Sequence, residues 1–165
     1  MKKIYFFLLA LFAFASCAKE VSIPQNATPV KEVAGIYPDY RDITIPPNIA
    51  PLNFQVTAKG DNFVGVIQGQ GVQLVAGGNE DGKLFLDSTE WRKLLTANKG
   101  RDLSVELYAE RNGQWVSFPK YVIHVAKEPI DKYLSYRLIE PSYELYRQLG
   151  IYQRDLENFE QTPIY

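Results

Sequence analysis

The residues that could do chemistry in this chain are few, and their spacing limits what they can do. His124 is the only histidine in the 165 residues. A zinc site around it would have to draw its other ligands from carboxylates alone, a poor match to the nitrogen and sulfur donors zinc favours. Serine–histidine–aspartate catalysis needs a serine on a sharp turn, and there is no Gly-x-Ser-x-Gly segment to present one. Tyr121, Ile123 and Val125 alternate around His124, so a strand that buries those three turns the imidazole outward or to an edge. Glu106 and Glu110 share a strand face with Tyr108, and paired carboxylates beside an aromatic ring are what a glycosidase uses. Four residues along a strand span about 13 Å, too far for either glycosidase geometry, so this face reads as solvated. Residues 77–82 (GGNEDG) offer glycines and acidic oxygens. A phosphate cradle needs a following Lys-Ser/Thr and a helix, whereas Lys83-Leu84 begins a strand. Calcium would need more alternating oxygen ligands, so Asp81-Gly82 reads as a hairpin turn. The expected class is therefore non-enzymatic, with no cofactor and no metal. A hydrolase is the enzyme class least at odds with these residues.

The other singular residue is Cys17, the only cysteine. Lys2 and Lys3 precede an apolar run over 4–14 (IYFFLLALFAF), followed by Ala15-Ser16-Cys17. A basic start, an apolar stretch and small residues before a cleavage point make residues 1–16 a secretory signal. The run is too short to span a bilayer comfortably. Phe14-Ala15-Ser16-Cys17 resembles the bacterial lipobox, with Phe14 where Leu is usual. The resemblance implies cleavage before Cys17 and diacylglycerol on its thiol. Each buried CH₂ adds about 0.8 kcal/mol, and two or three chains anchor durably where one does not. The predicted location is the cell envelope, on the inner or outer membrane. The periplasmic face is favoured over the cell surface, because one Lys and one Glu follow Cys17 rather than an acidic run. Residues 17–36 then read as the lipidated cysteine and its tether: charge is mixed, Pro24, Pro29 and Gly35 interrupt, and no apolar period is sustained. Asn26-Ala27-Thr28 matches a glycosylation sequon, an accidental match in a bacterial lipoprotein.

Length after the leader suits one compact domain with tails. A net charge of −1 argues against nucleic-acid binding, and no basic stripe overrides it. With Cys17 acylated, no thiol is left for a disulfide, an iron–sulfur cluster or haem attachment.

Prolines 38, 46, 47 and 51 make residues 37–51 an extended lead-in. From Leu52 the period becomes two. Leu52, Phe54 and Val56 alternate with polar neighbours, and 63–68, 72–76, 83–87 and 103–109 follow as strands. One helix interrupts them. Asp87 or Ser88 caps it, Trp91, Leu94 and Leu95 form its apolar face, and residues 98–100 (NKG) end it. Asn112-Gly113 predicts a hairpin into a strand over 115–126, with Pro119 at a bulge or edge. This pattern predicts an antiparallel β-sandwich of immunoglobulin or fibronectin-III type over 52–127, with one helical insertion. Residues 128–165 are predicted as a helical, aromatic-rich tail. Helical turns are expected over 131–138 and over 142–149 after Pro141, with Gly150 as the stop. Tyr133, Tyr136, Tyr143, Tyr146 and Tyr152 are its candidate partner-binding residues.

Tyr37-Pro38-Asp39-Tyr40, the run from Ile45-Pro46-Pro47 to Phe54, Glu128-Pro129-Ile130-Asp131 and Tyr136 through Arg154 resemble the N-terminal region of a Bacteroidetes group of exported proteins. The group is labelled TolB-like, or cytochrome c biosynthesis. The resemblance implies an envelope location and a leading β-sandwich. Longer members continue into a Cys-x-x-Cys-His-like segment and a WD40-like propeller, neither of which is in this sequence, so their haem and propeller functions do not carry over. Two expectations follow: a lipid-anchored binding or assembly module whose partner is another envelope protein, or the front end of a larger TolB-like protein, inactive without its propeller domain.

Overall fold

The computed structural model describes residues 21–139 and 150–164. The period-two runs become strands, and their apolar members become the core. In chain order the strands are β1 (Thr28–Pro29), β2 (Ile36–Tyr37), β3 (Thr44–Ile45), β4 (Gln55–Val56), β5 (Asn62–Gly69), β6 (Val72–Gly77), β7 (Asp102–Arg111), β8 (Gln114–Ser117), β9 (Tyr121–Val125), β10 (Tyr133–Leu138), β11 (Gly150–Asp155) and β12 (Gln161–Pro163). A helix, α1, covers Ser88–Ala97 between β6 and β7.

The largest sheet runs β1-β8-β7-β5-β6. Strand β7 is long enough to serve two partners on one side. Its first half pairs with β9, and its second half with β8. Strand β9 in turn carries β3 in parallel. The run predicted as one strand over 115–126 is thus two, broken around Pro119, which has no amide hydrogen to give to a ladder. The Asn112-Gly113 hairpin forms as predicted, with positive φ at both residues (52° and 76°).

Leu103, Val105, Leu107 and Ala109 line the core face of β7 and are at most 1% exposed. Opposite them lies α1, with Trp91, Leu94 and Leu95 fully buried. Asp87 caps this helix, its Oδ1 accepting the amides of Thr89 and Glu90 at 2.9 Å each. Leu52, Phe54 and Val56 complete the layer, although only Gln55–Val56 is ladder-paired, with β2. Among the described residues the chain is mainly β and sandwich-like, with one helical insertion, as its periodicity predicts.

Two expectations, the tether and the helical tail, are corrected. Residues 18–36, predicted as a tether, belong to the folded domain from Val21 onward. Ile23 and Ala27 pack on the outer face of the large sheet, over Val64, Val66 and Tyr108. Thr28–Pro29 pairs in parallel with β8, and Ala34 and Ile36 are buried. The apolar residues are too far apart to show a period because each docks at its own site on an existing sheet.

The Pro-rich lead-in is extended, and it packs against the domain. Ile45 and Ala50 are buried, and the indole of Trp91 donates to the Ile49 carbonyl at 3.0 Å.

The tail is not helical where it is described. Residues 131–138 give β10, and β10-β11-β12 form an antiparallel sheet. Leu134, Tyr136 and Leu138 recur every second residue, and Tyr136 stands directly opposite Tyr152. That cross-strand aromatic pair suits a sheet rather than a helix face. The helix predicted over 142–149 lies outside the described residues.

The tail sheet is tied to the main domain by backbone. The Ala50 amide donates to the Leu156 carbonyl at 2.8 Å. The Asn48 side chain exchanges two hydrogen bonds with the Ile130 backbone, at 2.9 and 3.0 Å.

Candidate functional site

Strands β10 to β12 carry the candidate binding residues, and the register divides them between two faces. Directly opposed residues of an antiparallel pair share a face. One face therefore bears Leu134, Tyr136, Leu138, Tyr152, Arg154 and Pro163. The Tyr136 and Tyr152 rings stack there with centroids 6.2 Å apart and 27° between planes. The Tyr136 hydroxyl donates to Gln161 Oε1 at 2.5 Å, which fixes the ring over β12. Tyr133 points to the opposite face with Ile151, and the Lys132 ammonium sits 5.2 Å from its ring centre. Of the five predicted tyrosines, two are thus brought together and one is on the reverse side. Tyr143, Tyr146 and the predicted lipid-bearing Cys17 lie outside the described residues.

No described residue after Val125 is buried. Tyr133 and Leu134 are about half exposed, and Ile151 and Ile164 are also exposed. A small sheet needs an apolar face covered, or packing against another element, to stand alone. This sheet leaves apolar side chains exposed on both faces, and its described ties to the domain are the Ala50–Leu156 backbone hydrogen bond, the Asn48 side chain and the contacts of Arg92 with Glu157.

A second cluster went unread in the sequence. His124 lies on the outer face near the edge of the large sheet, as its alternation predicts, with Asp102 directly across the β7–β9 ladder. Its Nδ1 is 2.7 Å from Asp102 Oδ1, and its Nε2 is 2.9 Å from Asp42 Oδ1. Hydrogen bonding to Asp42, and then to Asp102, raises the imidazole pKa above the usual histidine value. Both ring nitrogens are engaged by carboxylates. The group is a clamp that fastens the loop before β3 to the sheet. Asp102 comes within reach only through the β7–β9 register, and Asp42 only because the lead-in folds back along β9. Nothing in their sequence spacing signals either.

The remaining candidates take the roles their spacing allows. Glu106 is 3.2 Å from the Lys120 ammonium, and Glu110 accepts from the Asn62 side chain at 2.6 Å. The carboxylates serve separate partners. Residues 77–82 make a turn, with the Gly82 amide donating to the Asn79 carbonyl at 2.8 Å and a φ of +79° at Gly82. Among the described residues, no group of three or more His, Cys, Asp and Glu is arranged to hold a metal ion. The clefts are open grooves. One, of about 620 Å³, runs along the solvent side of α1 past Arg92, Thr96 and Glu157. Its two cations are already paired, Lys93 with the neighbouring Glu90 at 2.7 Å and Arg92 with Glu157 at 3.8 Å.

Comparison with protein-family models, curated proteins and solved structures found no match. The site must be read from its own chemistry.

Proposed function

We propose that this chain is a lipid-anchored protein of the cell envelope that acts as a non-enzymatic binding or assembly module. The observation that carries the binding role is the β10–β12 sheet, which leaves Leu134 exposed on one face and Tyr133 and Ile151 on the other and has no buried residue among those described. Tyrosine pairs an apolar ring with a polar tip, and a stacked, oriented pair such as Tyr136–Tyr152 offers contact area at little entropic cost. The anchor reading rests on the lipobox-like residues 14–17, and the envelope location also on the resemblance to exported TolB-like proteins. The sandwich is read as immunoglobulin or fibronectin-III-like from its strand pattern alone. A second reading, the front end of a larger TolB-like protein, draws on the same uncovered sheet, whose partner would then be a further domain.

In-cell photo-crosslinking tests the binding role. A photoreactive residue replaces Leu134 in one strain and Val122, on the main sheet, in another. A discrete adduct at 134 that is absent at 122 is expected. Equal labelling at both positions, or none at 134, would overturn the assignment of the tail sheet as the binding surface.

A further inference from the structure

The N-terminal segment leaves very little chain between the membrane and the domain. Val21 already rests on the large sheet: its methyl groups occupy the space where a side chain at Gly77 would project. From Cys17 to Val21 there are four Cα steps. Even fully extended, they reach about 14 Å. A tether of some twenty residues would let the domain roam, whereas this link holds the sheet near Gly77 close to the lipid-bearing residue.

What lies around Gly77 suits such a position. Gly78 and Leu84 form an antiparallel bridge, and the Phe85 amide donates to the Gly77 carbonyl at 3.2 Å. That register sets Phe85 opposite Gly77. Leu84 is buried in the core, so its neighbour Phe85 points to the outer face, the face on which Val21 lies. Phe85 is 58% exposed, and Val21 is 40% exposed. The Lys83 ammonium sits 5.9 Å from the Phe85 ring centre. Two uncovered apolar side chains and a lysine on a flexible stem thus gather where the chain departs toward Cys17. An aromatic ring with a neighbouring lysine fits a bilayer interface, where the ring enters the boundary region and the ammonium stays among the headgroups.

We infer that Val21, Lys83 and Phe85 form the membrane-facing surface of the domain, seated on the phospholipid bilayer that holds the Cys17 lipid. This rests on the lipid-anchor reading. None of these residues belongs to the β10–β12 sheet, so this surface is separate from the one assigned to a protein partner.

The test uses the full chain, processed in a bacterial host and reconstituted into phosphatidylethanolamine–phosphatidylglycerol vesicles containing acyl-brominated lipid. Tryptophan is placed at the surface (Phe85→Trp) or on β9 (Val122→Trp), four strand spacings or about 19 Å across the sheet. Emission of the parent protein, from Trp91 and Trp115, is subtracted. At least twofold stronger quenching at 85 than at 122 is expected. Mass spectrometry of the N-terminal peptide reports the state of Cys17 in the same samples. An acylated Cys17 with quenching at 85 no stronger than at 122 would overturn the surface and leave the anchor standing. An unmodified Cys17 in protein that does not float with vesicles would overturn both.

Discussion

Replacing Asn98 with alanine should cost this domain about 2–4 kcal/mol. Asn98 is the polar residue buried within the core among those described, with no solvent exposure. Its Nδ2 donates to the Leu94 carbonyl at 2.8 Å, closing the end of α1. Its Oδ1 accepts the Gln70 amide at 2.7 Å, which ties the β5–β6 turn to that helix end. Alanine strands both groups. A buried polar group left unpaired costs about 1–3 kcal/mol, and the Leu94 carbonyl falls in that range. The Gln70 amide is nearer solvent and adds about 1 kcal/mol. At a typical urea m-value near 2 kcal/mol/M, the midpoint falls by about 1–2 M. Urea unfolding of the protein lacking residues 1–17, followed by tryptophan emission, measures this. Asn98→Asp separates the two bonds: the aspartate still accepts from Gln70 but cannot donate to Leu94, and it buries a charge. It should be less stable than the alanine variant. A loss below about 0.5 kcal/mol for alanine, or an aspartate variant more stable than alanine, would refute the assignment of these two bonds.

Further outcomes follow from other contacts. The His124 imidazole is expected to titrate above the usual histidine value, and its NMR titration should move down most with Asp42→Asn and less with Asp102→Asn. Because the folded pKa is the raised one, the clamp's contribution to stability is complete below the unfolded histidine pKa and fades as pH climbs through the folded value. A His124 titration unchanged by either variant would contradict the clamp. Trp91→Phe should cost about 1–2 kcal/mol, because it removes a 3.0 Å hydrogen bond to Ile49 from a site 1% exposed, and Trp91→Ala about 3–5 kcal/mol; thermal melts decide between them. Gly82→Ala should be clearly worse than Gly71→Ala. Both glycines have positive φ, but a Cβ at Gly82 meets the Val56 carbonyl whereas one at Gly71 meets nothing, so equal melting temperatures would count against the turn geometry. Tyr136→Ala should speed hydrogen exchange in β10 and β11 while amides of β7 stay protected; equal acceleration in both would mean the tail and core unfold as one unit.

What the sequence determined by itself was local. Strict alternation at 103–109 named the central strand and its buried face, because a period of two leaves only one way to hide every apolar residue. Asp87, the Trp91-Leu94-Leu95 face and residues 98–100 defined one helix from start to stop. Asn112-Gly113 defined one hairpin, because its residues tolerate the positive φ such a turn needs. His124 could be turned outward on the same alternation.

The tertiary structure decided everything that depends on which segment meets which. Residues 21–36 look like a linker because Ile23, Ala27, Ala34 and Ile36 each pack at a separate place, and such docking leaves no period to read. The tail at 131–138 carries spacings that serve a helix or a strand, and pairing with β11 selected the strand. Asp42, Asp102 and His124 are remote in the chain; the β7–β9 ladder set Asp102 opposite His124, and the packing of the segment before β3 along β9 brought in Asp42. The same holds for Val21, Lys83 and Phe85. Their proximity comes from strand register and from a docked N-terminal segment, long-range choices fixed by the summed burial of the whole fold rather than by any stretch of sequence.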